Sequence, residues 1–296
     1  MSITLGNLVY RVLRACNVVT EGVATGGATT TIIDTVERTE ADDFWNKGSA
    51  IILKDAAGAS AAPEGEIQVI SDFVNSTGVI TLRTALTVAV ASGDIYAIAR
   101  SFIPLRVVIS KINAVLSEDI GYMLFTDKTS LTIAANQTEY SLPAACYELR
   151  EVWLQGDKSD SDDNLWSRVY GWRVETTATG TADLLILPYQ YGTDYDLKLE
   201  YMGVHPELYA YSDKLAEGIA PERVIYPAAL GCLEWRRAQS GYWDDWDKEM
   251  ARLQVMIETV QREKPPRKVR PQGRLMIVGR DGPLAESTAN SVVIGQ

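Results

Sequence analysis

Apolar residues in this chain recur first at helical steps and then at strand steps, and that alternation happens twice before the chain returns to helical spacing. Leu5, Leu8, Val9, Val12, Leu13 and Cys16 are three or four apart. This spacing places them on one face of a helix from Ile3 to Cys16, with Ser2 or Thr4 as cap. After Asn17, short β-branched runs take over at 29–34, 49–55, 66–74, 78–86 and 94–99. The turn clusters Asn46-Lys47-Gly48, Pro63-Glu64-Gly65, Ser76-Thr77-Gly78 and Ser92-Gly93-Asp94 separate them, as in a small antiparallel sheet or barrel. Residues 21–100 are therefore expected to form a β-domain.

Leu105, Val108, Ile109, Ile112, Val115 and Leu116 restore the helical step between Pro104 and Ile120, with Pro104 in the first turn and Gly121 as the stop. A second strand-like stretch runs from Tyr122 to Tyr201, with segments at 147–155, 165–175, 183–188 and 195–203. Val224, Ile225, Ala228, Cys232 and Trp235 then share one face of a helix over 221–238, where Pro227 marks a kink or a late start. Trp243, Trp246, Met250, Leu253, Ile257 and Val260 form a seam, by which a helix lies along another helix or partly along a neighbouring subunit. Asp244, Asp245 and Asp247 sit at the positive end of that helix, and Pro265-Pro266 stops it. The expected fold class is α+β. A four-helix core from residues 1–20, 103–120 and 205–263 is interrupted by antiparallel β-domains at 21–100 and 121–203, with an extended C-terminal arm at 264–296.

Lys and Arg number 28 against 39 Asp and Glu, a net charge of −11 that repels nucleic acid. The balance is uneven, because 261–280 holds seven basic residues and one acid, leaving the remainder near −17. In this basic tail, Arg274-Leu275-Met276-Ile277-Val278-Gly279 has strand propensity but nothing of its own to pair with. It reads as a docking arm that adds a strand to another protein or fills its groove, with Arg267, Lys268 and Arg270 steering it to an acidic surface. A solvated tail is the plainer alternative. No apolar run is long enough to span a membrane, and the first residues lack the charged start and apolar middle of a signal peptide. Synthesis in the cytoplasm is expected.

Catalytic and metal chemistry find little support. Cys16, Cys146 and Cys232 are odd in number and widely spaced, so they read as small buried hydrophobes. His205 stands alone, with no Gly-x-Ser-x-Gly elbow to serve. Ala24-Thr25-Gly26-Gly27-Ala28 lies between a helix and a strand, the wrong context for a phosphate cradle. Asp160, Asp162 and Asn164 begin a calcium-loop pattern, but Leu165 stands where glycine is needed and Gly171 where a bidentate Glu belongs. A looser ion site at Asp157, Asp160, Asp162 and Asp163 competes with a solvated acidic turn. Trp153, Trp166 and Trp172 admit a glycan-binding or glycosidase reading. On one continuous strand, however, Trp166 and Trp172 would share a face, where packing explains them more simply. No cofactor and no enzymatic role are expected.

The stretch Ala24-Thr25-Gly26-Gly27-Ala28-Thr29-Thr30-Thr31-Ile32-Ile33-Asp34-Thr35, then Ala41-Asp42-Asp43-Phe44-Trp45-Asn46-Lys47-Gly48, then 69–82, ending at Gly93-Asp94-Ile95-Tyr96, resembles a β-module that recurs in structural proteins of tailed bacteriophages. The surrounding helices and the C-terminal arm resemble, in layout, head-to-tail adaptor (connector) proteins, which form a ring beneath the portal. The resemblance implies a virion protein of the neck, with helices in the ring core and about twelve copies matched to the portal. Its partners would be the portal and tail or neck proteins, and DNA would pass through without specific binding. The arm would engage the portal through Arg267, Lys268, Arg270, Arg274, Leu275, Met276, Ile277 and Val278. Two large β-regions depart from the mostly helical small adaptors, so one is expected to face tail, fibres or capsid. A stopper, tail terminator or fibre-bearing neck protein is the alternative within the virion.

Overall fold

The computed structural model describes residues 3–58, 62–156, 166–176, 183–240 and 244–264, with side chains in the last segment from 246 onward. These residues belong to one compact unit, Met1–Pro265. Helix α1 (Leu5–Ala15) begins where the Thr4 hydroxyl accepts the Asn7 N–H at 3.4 Å, and Leu5, Leu8, Val9, Val12 and Leu13 are fully buried. Asn17, at φ 57°, turns the chain out of the helix.

Seven strands follow: β1 (Val19–Val23), β2 (Gly26–Ala28), β3 (Thr31–Ile33), β4 (Ser49–Lys54), β5 (Ile67–Val74), β6 (Val79–Leu82) and β7 (Ile95–Ala99). Their order is β1-β7-β4-β5-β6-β3-β2, all pairs antiparallel. Because β1 and β2 are two halves of one bent stretch, the sheet closes on itself into a barrel. At the bend, the Ala24 N–H donates to the Asp94 carbonyl and the Thr25 N–H to the Ile33 carbonyl. The barrel therefore starts at Val19, not at residue 21, and the bent stretch is a strand that sequence pattern missed. Its glycines hide it. A Cβ at Gly22 would lie 2.7 Å from Arg38 and 2.8 Å from the Tyr96 hydroxyl, and one at Gly27 would lie 2.4 Å from the Thr31 carbonyl. Close backbone approach selected residues with no strand propensity.

Ile52, Ile70, Phe73, Ile80, Tyr96 and Ile98 fill the barrel, while Ile51, Ile67, Ala97 and Ala99 face outward into the helices. Strands buried on both faces lose their polar alternation, which is why 49–53 reads as a nearly continuous apolar run. Arg100 lies 3.8 Å from the Phe44 ring centre and 4.7 Å from that of Phe102, and Arg236 lies 5.1 Å from Phe102, bridging barrel and helices.

Helix α2 (Leu105–Ala114) continues into a six-residue π-helical turn, Val115–Ile120, before Gly121 at φ 64°. Pro104 is the N-cap and not a first-turn residue, because its ψ of 143° is extended. The second β-region comprises β8 (Tyr122–Asp127), β9 (Glu139–Ser141), β10 (Cys146–Gln155), β11 (Trp166–Arg168), β12 (Arg173–Glu175), β13 (Leu184–Ile186) and β14 (Asp196–Val204). A four-stranded sheet, β11-β10-β14-β8, and a three-stranded one, β12-β13-β9, share a core that includes Val152, Leu197, Leu199, Tyr140, Leu185 and Leu187. The expected single strand over 165–175 is two strands in different sheets. Val169 is held to the Val152 carbonyl, and Gly171, at φ 79°, lies in the corner between the strands. Trp166 and Trp172 consequently do not share a strand face.

Helices α3 (Glu222–Ser240) and α4 (Asp244–Glu263) complete the unit. Pro227 lies inside α3, one turn from its start, so the helix neither begins late nor ends there. Val224, Ile225, Ala228, Ala229, Cys232 and Leu233 are buried on α3, which packs on α1, α2 and α4. No helix among the described residues is long and apolar enough to cross a membrane.

Candidate interaction surfaces

The α4 seam lies on the chain's own α3. Met250, Leu253 and Val260 are buried, while Trp246 and Ile257 are half-buried. Arg252 donates to the Ala15 carbonyl at 2.6 Å, tying α4 to the end of α1, and Arg237 pairs with Asp247 at 3.2 Å. Burying this seam does not require a second copy. Trp243 lies outside the described residues. At the far end of α4, Lys264 reaches Glu222, at the start of α3, at 3.0 Å. Burial alone would raise the Glu222 pKa, but its own backbone N–H and Lys264 hold it low. The point where the chain leaves α4 is thus tethered to α3. The arm residues Arg267, Lys268, Arg270, Arg274, Leu275, Met276, Ile277 and Val278 lie outside the described residues, as does the acidic turn at Asp157, Asp160, Asp162 and Asp163.

Beside this exit, Lys111, Val115, Glu118, Leu230, Ile257 and Val260 help line a cleft of about 470 Å³ between α2, the π-helical turn, α3 and α4. Glu118, Asp119 and Glu234 on its walls make no ion pair among the described residues. The cleft is acidic and apolar together.

Other side chains singled out by sequence have structural partners. His205 is 6% exposed, with Nδ1 donating to the Pro206 carbonyl at 2.6 Å and Nε2 accepting the Ala216 N–H at 3.0 Å. Burial lowers its pKa, and the Pro206 carbonyl offsets this in part. Lys198 Nζ lies 4.8 Å from the Trp153 ring centre and 5.0 Å from that of Trp166, so a cation already occupies both indoles that a sugar would need. Trp172 packs against the core of the second β-region. Cys16 and Cys232 are buried and come together between α1 and α3, where the neighbouring Cys232 thiol and then burial push the Cys16 pKa well up. Cys146 is only half-buried, contrary to expectation, because it lies at a bulge at the start of β10. Burial, with Asp183 nearby, pushes its pKa up to about 11. All three cysteines are free. Among the described residues no cluster of three or more His, Cys, Asp or Glu is placed to hold a metal.

One surface had no sequence signal. The last strand of the four-stranded sheet, β8, alternates exposed Tyr122, Leu124 and Thr126 with half-buried Met123, Phe125 and Asp127. Phe125 stacks on Tyr201 of β14 at 5.8 Å, while the Tyr122 ring lies 4.4 Å from that of Tyr147, a residue 68% exposed. Tyr122 and Tyr147 meet only because β8 and β10 flank β14, and sequence spacing could not bring them together.

The described residues thus combine packed helices with two β-regions, an acidic and apolar cleft beside α4, and an exposed aromatic pair on the second β-region. The SU10 adaptor protein family matches residues 78–270, about two thirds of the chain, and the chain belongs to that family. It is accordingly an adaptor-type structural protein of a bacteriophage virion. The match covers α2, the second β-region, α3 and α4, but only the last part of the barrel. No curated protein matches the chain.

Proposed function

We propose that this adaptor forms a ring of about twelve copies that joins the portal to the tail or neck, with the helices in the ring wall. The observation that carries this reading is the reach of the family match, which runs through all of α4 and on to residue 270, including Arg267, Lys268 and Arg270. Those residues, with Arg274 and the apolar run 275–278, dock on the portal as an arm. The Lys264–Glu222 tether supports this by fixing where the arm leaves the helices. An acidic lumen would let the duplex slide without gripping it. The role is structural, with no catalytic step; the barrel serves as the recurrent phage β-module, and one of the two β-regions presents a face to tail, fibres or capsid.

Light scattering of the purified protein, alone and mixed with portal rings, tests the reading. The full chain is expected to add to portal as a closed ring, and a chain ending at Lys264 is expected to keep its circular-dichroism spectrum and lose portal binding. Equal portal binding by the truncated chain would overturn the arm, and indifference of the full chain to portal would overturn the ring.

A further inference from the structure

One edge of the second β-region differs from the others. Strands β9, β11 and β12 are outermost in their sheets and three residues long. Strand β12 is Arg173-Val174-Glu175, whose charges pair at 2.9 Å, and Arg168 on β11 pairs with Glu151 at 3.0 Å. Short, charged edges resist pairing with foreign strands. Strand β8 has less of this protection, since it runs six residues with Asp127 at its end as its one charge and pairs with β14 without a bulge. Among the described residues its backbone bonds to β14 alone, so the opposite edge presents free N–H and C=O groups.

Both sides of that edge are prepared for side chains. On the outer side Tyr122 is 51% and Leu124 46% exposed, with Tyr147 against Tyr122. On the inner side Phe125 forms one wall of a pocket of about 410 Å³, shared with His205, Glu207, Leu208, Asp213 and Lys214. A strand places successive side chains on opposite faces. A segment added beside β8 would therefore lay alternate residues on the Tyr122–Leu124 surface and direct the intervening ones to the pocket. Backbone pairing would supply affinity and the pocket selectivity.

We propose that β8 is a strand-acceptor edge, and that its occupant is an extended segment of a different protein with alternating apolar residues and a basic flank. The basic flank follows from charge. Glu118 and Asp119 lie four and three residues before Tyr122 of β8 and make no ion pair among the described residues, and in the pocket Glu207 and Asp213 outnumber Lys214. The edge lies in the second β-region, so the proposal stands apart from portal docking by the arm and names how that region holds a neighbour.

The experiment is hydrogen exchange on the full-length protein with the synthetic peptide Lys-Thr-Val-Thr-Ile-Thr-Val-Arg as probe, and with the same peptide carrying proline at its centre as control. Residues 122–127 are expected to gain protection with the first peptide only. Affinity is expected to fall roughly tenfold or more in Leu124→Lys and Tyr122→Lys, both exposed positions, and to be unchanged in Val174→Lys on β12. Absence of protection at saturating peptide, or equal protection in Leu124→Lys, would overturn the proposal. Self-association of the free protein that Leu124→Lys abolishes would also overturn it, because the occupant would then be a second copy.

Discussion

The Tyr96 hydroxyl donates to Asp34 Oδ2 at 2.5 Å, joining β7 to the segment after β3 across 62 residues of sequence. Arg38 Nε reaches the same carboxylate oxygen at 3.3 Å and Nη2 donates to the Glu21 carbonyl at 2.8 Å, while the N–H groups of Val36 and Glu37 donate to Asp34 Oδ1. The Asp34 side chain is fully buried and that of Arg38 is 2% exposed. A charge pair this deep is tolerated because the carboxylate oxygens are engaged by several donors. It locks β1, β3 and β7 at one point of the barrel.

Asp34→Ala leaves the buried guanidinium without this carboxylate and is expected to cost about 3 to 5 kcal/mol. Tyr96→Phe removes one hydrogen bond to a charged group and is expected to cost about 1.5 to 3 kcal/mol. Urea unfolding followed by tryptophan fluorescence measures both. An Asp34→Ala protein as stable as the parent would show that the cluster does not hold the barrel together.

Acid is expected to weaken the fold in two stages. Burial lowers the His205 pKa, and Nε2 must stay unprotonated to accept the Ala216 N–H. A depressed histidine value means that its contribution is intact above about pH 6.5 and declines as pH falls through the folded value. For Asp34 burial acts to raise the pKa, but the Glu37 N–H, the Tyr96 hydroxyl, the Val36 N–H and Arg38 outweigh it and hold it low. Its contribution is therefore intact above about pH 4 and is lost as pH falls through the folded value. Urea midpoints measured against pH should decline less in the upper stage for His205→Gln and less in the lower stage for Asp34→Asn. Unchanged profiles in both variants would refute the assignment.

Leu253→Ala opens a hole between α4 and the rest of the helical core, where Leu253 is fully buried. The expected loss is about 2 to 5 kcal/mol, with the mass in solution unchanged because the seam is closed within one chain. Differential scanning calorimetry and light scattering read the two quantities separately. A change in assembly state without a change in melting would place the seam between subunits.

Local pattern determined the elements whose burial is one-sided and whose ends carry their own signals. The stripe from Leu5 to Leu13 with Thr4 before it made α1, and the turns at Lys47, Gly65, Gly78 and Gly93, all at positive φ, separate or flank the strands expected between them. The steps from Trp246 to Val260 likewise placed α4. Charge segregation marked the basic tail, since net charge is a sum over residues and needs no coordinates. Tertiary structure decided what depends on neighbours remote in sequence. It closed the barrel through glycines that only close contact explains, broke 165–175 into two sheets, and set Cys16 beside Cys232 and Lys198 between two indoles. It also left β8 at the end of a sheet. An edge is a property of strand order, and strand order arises from long-range pairing, which the side-chain period of a single strand does not encode.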